Sequence, residues 1–210
     1  MKTYKSTSEA VVETVLSRPA GEPFTTSELL ELGTRAGVDH ALSRLAGAGT
    51  IERLAPGLFV RPRQSKYVGN AATSPEKIVQ AIARKSRSLV EVHGAQAARE
   101  FGFTTQVSMR PVFVTTGPAR EIAYGTSTIV LRHAAPSRML LAGRPAGRAF
   151  AALMYLGRNL VTEEMIATIQ AKLPTEEFEA LCQARASMPS WLNDVLYRYE
   201  RAQDLAVTRA

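Results

Sequence analysis

From Val38 onward the apolar residues fall at i, i+3, i+4 and i+7: Val38, Ala41, Leu42 and Leu45. That spacing is the stripe of a helix with one buried face. Shorter stripes precede it, Val11, Val12, Val15 and Leu16, then Leu29, Leu30 and Leu32. Each stripe opens on a start signal. Ser6-x-x-Glu9 and Thr25-x-x-Glu28 are capping boxes, and Thr34 is a cap for the third helix. Gly33 is expected to close the second helix with a positive φ. Phe24 reads as a short strand or anchor between the first two helices. After Gly47 and Gly49 the periodicity changes. Residues 50–54 and Leu58–Val60 read as strands around the turn Ala55-Pro56-Gly57, and Pro62 stops the second.

Beyond residue 66 the pattern is different. Residues 69–73 read as a linker, and Ser74-Pro75-Glu76 is a strong helix start. A second helix is expected near Gly94 to Phe101. Three β-like runs follow, at 111–116, 121–124 and 127–132, with Gly117-Pro118 and Gly125 as turns. From about residue 136 the apolar spacing is helical to the end. The expected fold class is therefore α+β. Residues 1–66 form a winged helix-turn-helix, and residues 67–210 form a mixed α/β domain with a small sheet and a helical C-terminal part.

Composition changes this picture in one respect. The 210 residues are 45% hydrophobic and 21% charged, ordinary for a globular chain. The formal net charge is +7, which favours a polyanionic partner. Yet residues 1–66 carry 9 basic and 7 acidic residues, while residues 67–160 carry 12 basic and 4 acidic, net +8. The strongest positive charge thus lies outside the expected DNA-binding module. Arg84, Lys85 and Arg87, with Arg144 and Arg148, are the candidate phosphate or partner patch there. No run of about 18 apolar residues occurs, and the basic N-terminus lacks an apolar stretch behind it. The expectation is no membrane span, no signal peptide and a cytoplasmic protein. The single cysteine, Cys182, reads as a buried structural thiol.

A helix that hides Val38, Ala41, Leu42 and Leu45 must present Arg35, Asp39, His40, Ser43 and Arg44. The first residues of a recognition helix reach base edges. Arg35 is the candidate for a bidentate guanine contact. Thr34, His40, Ser43 and Arg44 are candidates for base or phosphate, and Asp39 should meet a base amino group or pair with an arginine. Arg53, Arg61 and Arg63 supply the hairpin with backbone contacts. The competing reading is a winged-helix module that binds an acidic protein partner without operator recognition.

Candidate chemistry is poor. His40, His93 and His133 lack any ligand spacing, no Gly-x-Ser-x-Gly elbow occurs, and no phosphate-binding glycine loop ends in Lys-Ser/Thr. The reading is a non-enzyme with no catalytic residues, no metal and no cofactor. An enzyme acting on nucleotides or RNA through the basic middle region is the third hypothesis.

Four blocks carry a resemblance. They are Leu32-Gly33-Thr34-Arg35-Ala36-Gly37-Val38-Asp39-His40 continuing to Leu45 and closed by Arg53 to Phe59; His93 to Ala98 with Phe101-Gly102; Thr115 to Arg120; and Arg138 to Gly147. Together, in this order, they resemble the AbiEi-type antitoxins of bacterial toxin–antitoxin systems. The resemblance implies an autorepressor that binds double-stranded DNA at repeats in its own promoter. It also implies a cognate nucleotidyltransferase-like toxin, which need not form a stable complex with it. The family's DNA-reading positions fall on Arg35, His40, Ser43 and Arg44. A monomer or weak dimer, able to act cooperatively on DNA, is expected. Gly37 is the departure: a glycine here weakens a helix near its start by about 0.5–1 kcal/mol relative to alanine.

Overall fold

The computed structural model describes residues 6–65, 69–71, 73–124 and 127–208. The fold is α+β, and the chain divides into two compact units. One is residues 1–88 with 122–129, the other residues 89–121 with 130–210.

The first unit opens with α1 (Thr7–Ser17), capped by Ser6 in a complete capping box with Glu9. Next come β1 (Pro23–Thr25), a 3₁₀ helix (Thr26–Leu32) and α2 (Arg35–Gly47). Strands β2 (Glu52–Ala55) and β3 (Leu58–Val60) follow, and the antiparallel sheet has the order β1-β3-β2. The apolar periodicity has one physical result. Val11, Val15, Phe24, Leu29, Val38, Ala41, Leu42, Ile51 and Phe59 form a single buried cluster, with Leu32 and Leu45 packed against it. Leu16, expected on the buried face of α1, is instead 47% exposed.

Three features differ from expectation. The second helix is 3₁₀ rather than α; it has the Glu28 carboxylate on the Thr25 amide at 2.9 Å as its start signal. Gly33 has a φ of 162°, which is extended backbone open to any residue. Its glycine is needed for space, because a Cβ there would lie 2.3 Å from Thr7 Oγ1 and 2.4 Å from Thr7 Cγ2. Residues 69–73, read as linker, include β5 (Gly69–Ala71), which pairs antiparallel with β4 (Arg63–Ser65).

The first unit also runs past residue 66, where the sequence suggested a boundary. Helix α3 (Pro75–Ser86) starts on Ser74 with Pro75 at its first position. Lys77 pairs with Glu22, and Arg84 Nη2 donates to the Pro23 carbonyl at 3.5 Å. Buried Ile78, Val79 and Ile82 line the inner face of α3.

The second unit holds β6 (Val90–Val92), β7 (Val112–Thr115), the start of β8 (Arg120–Tyr124) and the end of β9 (Ser127–His133), strands of a sheet with the order β6-β7-β9-β8. The pairing of β6 with β7 is antiparallel and that of β7 with β9 parallel. The three-residue β6 was not expected from sequence; residues 122–129 of the β8–β9 hairpin group with the first unit. Helices α4 (Gly94–Glu100) and α5 (Pro145–Leu156) cross closely, since a Cβ on Gly94 would come 2.6 Å from the Ala151 carbonyl. Helices α6 (Glu163–Lys172), α7 (Thr175–Gln183) and α8 (Ser190–Thr208) complete the chain. Phe150, Leu153, Ile166, Ile169, Leu181, Leu192 and Leu196 are fully buried. Among the described residues no helix is long and apolar enough to cross a membrane.

Candidate nucleic-acid interface

The site begins with a cap. Thr34 Oγ1 accepts the Gly37 amide at 3.2 Å and starts α2. That bond satisfies one of the amides every helix start leaves open and leaves the Thr34 hydroxyl proton free to be donated. Gly37, which looked like a weakness in the helix, has close neighbours. A Cβ there would lie 3.2 Å from both Thr34 Oγ1 and Thr7 Cγ2. An alanine there would gain helix propensity only if those two side chains moved by a few tenths of an ångström.

The two faces of α2 then separate cleanly. Val38 and Leu42 are wholly buried and Ala41 nearly so, while Arg35, Asp39, His40, Ser43 and Arg44 are all exposed. Arg35 Nε donates to Asp39 Oδ2 at 2.8 Å, one helical turn away, with 64% and 48% of the two side chains exposed. Of the two alternatives the sequence left for Asp39, pairing with an arginine is the one adopted. An exposed pair at this spacing is worth about 0.3–0.5 kcal/mol, so releasing Arg35 to a stronger ligand costs little. Arg44 Nη2 donates to Ser8 Oγ on α1.

The hairpin brings in the next cations. Gly57 turns the chain at φ 70°, in the left-handed region where glycine is at ease. Arg53, on β2, is exposed, and so is Arg63, on β4. Lys85 Nζ lies 3.3 Å from the position a Cβ would take on Gly57. The ammonium group of α3, expected in a separate patch, therefore stands beside the hairpin turn. Arg84 and Arg87 are exposed at the same end of α3, where Arg87 closes the helix in the left-handed conformation.

Arg61 has a different position. Its Nη1 donates to the Leu16 carbonyl at 2.8 Å, and its own carbonyl accepts the Gly21 amide at 2.8 Å. Its Nε is buried without a partner. Its side chain braces the end of α1, and this was not visible in the sequence. Arg18 does similar work, pairing with Glu28 at 2.8 Å and covering the Phe24 ring at 4.9 Å. Burial raises the Glu28 pKa, but the Thr25 amide and Arg18 outweigh it and hold the carboxyl below its ordinary range.

In the second unit Arg144 and Arg148 are held by carboxylates. Arg144 Nη2 lies 2.9 Å from Glu177 Oε1, and Glu177 Oε2 also accepts the Ala146 amide at 3.0 Å. These bonds lower the Glu177 pKa. Arg148 stands 3.2 Å from Glu100 and 3.7 Å from the buried Glu91. Cys182 is buried, and burial followed by nearby Glu200 pushes its thiol up to about 12. Among the described residues no group of three His, Cys, Asp or Glu could hold a metal ion.

Sequence reasoning missed a cleft of about 370 Å³ in the second unit, lined by Glu91, His93, Arg132, His133, Arg138 and Tyr155 among others. A weak signal was present: Arg132 and His133 are adjacent polar residues closing a β-like run.

Comparison with known proteins gives a family and little more. Residues 10–181 match the model of a family described as "Family of unknown function (DUF6088)". No curated protein matches the chain. A solved structure, that of the RV2827C protein from Mycobacterium tuberculosis, is similar at 16% identity with a TM-score of 0.45, covering 93% of this chain and 82% of that one.

Proposed function

The chain belongs to the DUF6088 family, and for this member we propose a DNA-binding transcriptional autorepressor that serves as the antitoxin of a toxin–antitoxin pair. The first unit is taken as a winged helix-turn-helix: the 3₁₀ helix and α2 are the helix-turn-helix, and β2–β3 is the wing. One observation carries the proposal. Helix α2 keeps its aliphatic stripe in the core and leaves Arg35 at its first turn, with His40, Ser43 and Arg44 further along, exposed. Inserted in a major groove, Arg35 reads guanine and the other three contact bases or phosphates. Arg53, Arg63 and Lys85 then reach the flanking backbone. The sequence resemblance to AbiEi-type antitoxins supports the second half of the proposal, a nucleotidyltransferase-like toxin as the counterpart.

The test has two parts. Labelled duplex from the chain's own promoter is titrated with the full-length protein at low and moderate salt. Tight binding that weakens steeply with salt is expected, as phosphate contacts release counterions. Binding no tighter than to scrambled duplex would remove the repressor, and co-purification of an acidic protein in its place would favour the protein-binding module. Co-expression with the neighbouring open reading frame tests the antitoxin: relief of growth arrest supports it, and persistent arrest rejects it.

A further inference from the structure

The cleft of the second unit has features of a small-molecule site. Its volume, about 370 Å³, falls within the roughly 300–1,000 Å³ typical of such pockets. Two of its lining cations, Arg132 and Arg138, make no side-chain hydrogen bond or ion pair among the described residues, unlike Arg144 and Arg148. The one acidic residue of the lining, Glu91, is already occupied. Its carboxylate accepts the Gly143 and Val92 amides, both at 2.9 Å, with Arg148 at 3.7 Å. The cleft therefore carries positive charge that the fold leaves unanswered.

The other walls are apolar and aromatic. Met139 and Met154 line it, and His93 meets Tyr155 edge-on with ring centroids 5.9 Å apart. His93 Nδ1 accepts the Ala95 amide at 3.3 Å, so the neutral ring carries its proton on Nε2 as a donor. Burial and then Arg132 lower the His93 pKa. The turn beside the cleft is tightly constructed. Leu141 has φ 57°, a conformation leucine rarely adopts, and its carbonyl fills the space where a Cβ on Gly147 would lie, at 2.1 Å. Strain held by surrounding structure is common at functional sites.

We propose that this cleft binds a nucleoside monophosphate, with the phosphate on Arg132 and Arg138 and the base against the His93–Tyr155 and methionine walls. Guanidinium forks suit phosphate oxygens in geometry as well as charge, and the apolar walls suit a flat ring. A cleft of this volume takes a small molecule rather than a duplex, which needs the open face of α2. The inference is independent of the DNA-binding proposal.

Isothermal titration of the full-length protein with AMP, GMP, CMP and UMP tests it. One-site binding by at least one nucleotide is expected, with its nucleoside alone and inorganic phosphate alone each about tenfold weaker or more. Arg132→Gln and Arg138→Gln should each weaken binding about fivefold or more, since each removes a charge-assisted bond to phosphate. Both side chains are exposed, so the fold should survive, as an unchanged circular-dichroism spectrum and denaturation midpoint would show. Arg35→Ala should leave the nucleotide titration unchanged. No binding by any of the four at about 5 mM overturns the proposal, as does affinity unaltered in the Arg132→Gln/Arg138→Gln double variant. A 5′-phosphorylated trinucleotide binding about tenfold tighter than any mononucleotide would overturn the free nucleotide in favour of a strand end.

Discussion

Two sets of arginines, one on α2 and one on α5 and the turn before it, are used in opposite ways. On α2 the guanidinium groups stand in solvent, and the contacts they make are an exposed i,i+4 pair and a bond to Ser8. In the second unit Arg144 and Arg148 are fastened to Glu177, Glu100 and the buried Glu91. The segment with the larger charge excess is thus not simply the one with more available charge. A net charge counts residues; a binding surface depends on which of them lack an internal carboxylate. Residues 67–160 contain both sorts, because Arg132 and Arg138 stand in the same unit without such partners.

The contrast can be broken most decisively at α2. Replacing Arg35 and Arg44 together with glutamate should weaken promoter binding by about 100-fold or more, because two attractive contacts become repulsive. Arg144→Gln should change it less than about twofold, since an arginine tied to a carboxylate offers little to DNA. Anisotropy titration at one fixed salt concentration measures both. Equal losses would mean that internal pairing does not decide availability.

Stability should show the reverse order. Arg148→Leu leaves Glu91 with its two amide donors but no cation, and should cost about 1–3 kcal/mol in chemical denaturation. The Glu91 carboxyl, already raised by burial in spite of its amide donors, should then titrate higher still. Arg61→Ala is intermediate. It removes the bond to the Leu16 carbonyl and should cost about 1 kcal/mol. Any loss of DNA affinity should be the same for every sequence and should follow the fraction folded.

The smallest effect concerns acid. Glu28 has a folded pKa below its ordinary value, so it contributes stability above the unfolded value that is lost as pH falls through the folded one. Denaturation midpoints for wild type and Glu28→Gln should differ at pH 7 and converge toward pH 3. A constant difference would show that Glu28 acts by packing alone.

What could be read from the sequence was local. The Thr34 cap, the Val38–Ala41–Leu42 stripe and the Ala55-Pro56-Gly57 turn depend on neighbours within four residues, and the structure has all three. The outward positions His40, Ser43 and Arg44 follow from the stripe by geometry, and Arg35 is exposed because it opens the helix. The brace of Arg61 on Leu16, the proximity of Lys85 to Gly57 and the ion pairs of Arg148 join residues far apart in the chain, where no spacing rule applies. The cleft is the extreme case, since its lining comes from five separate stretches between Glu91 and Tyr155. Strands β4, β5 and β6 escaped for another reason: three residues are too few for alternation to register, and β3, equally short, was legible through the Pro56-Gly57 turn before it.

Thr7 lies in the first turn of α1 and belongs to no proposed contact surface, yet the glycines at 33 and 37 both abut it. One side chain therefore acts as the spacer that sets how α2 is tilted against its neighbour. Thickening or thinning that spacer offers a way to alter the pitch at which the exposed helix meets a partner, while every side chain on its outer surface stays as it is.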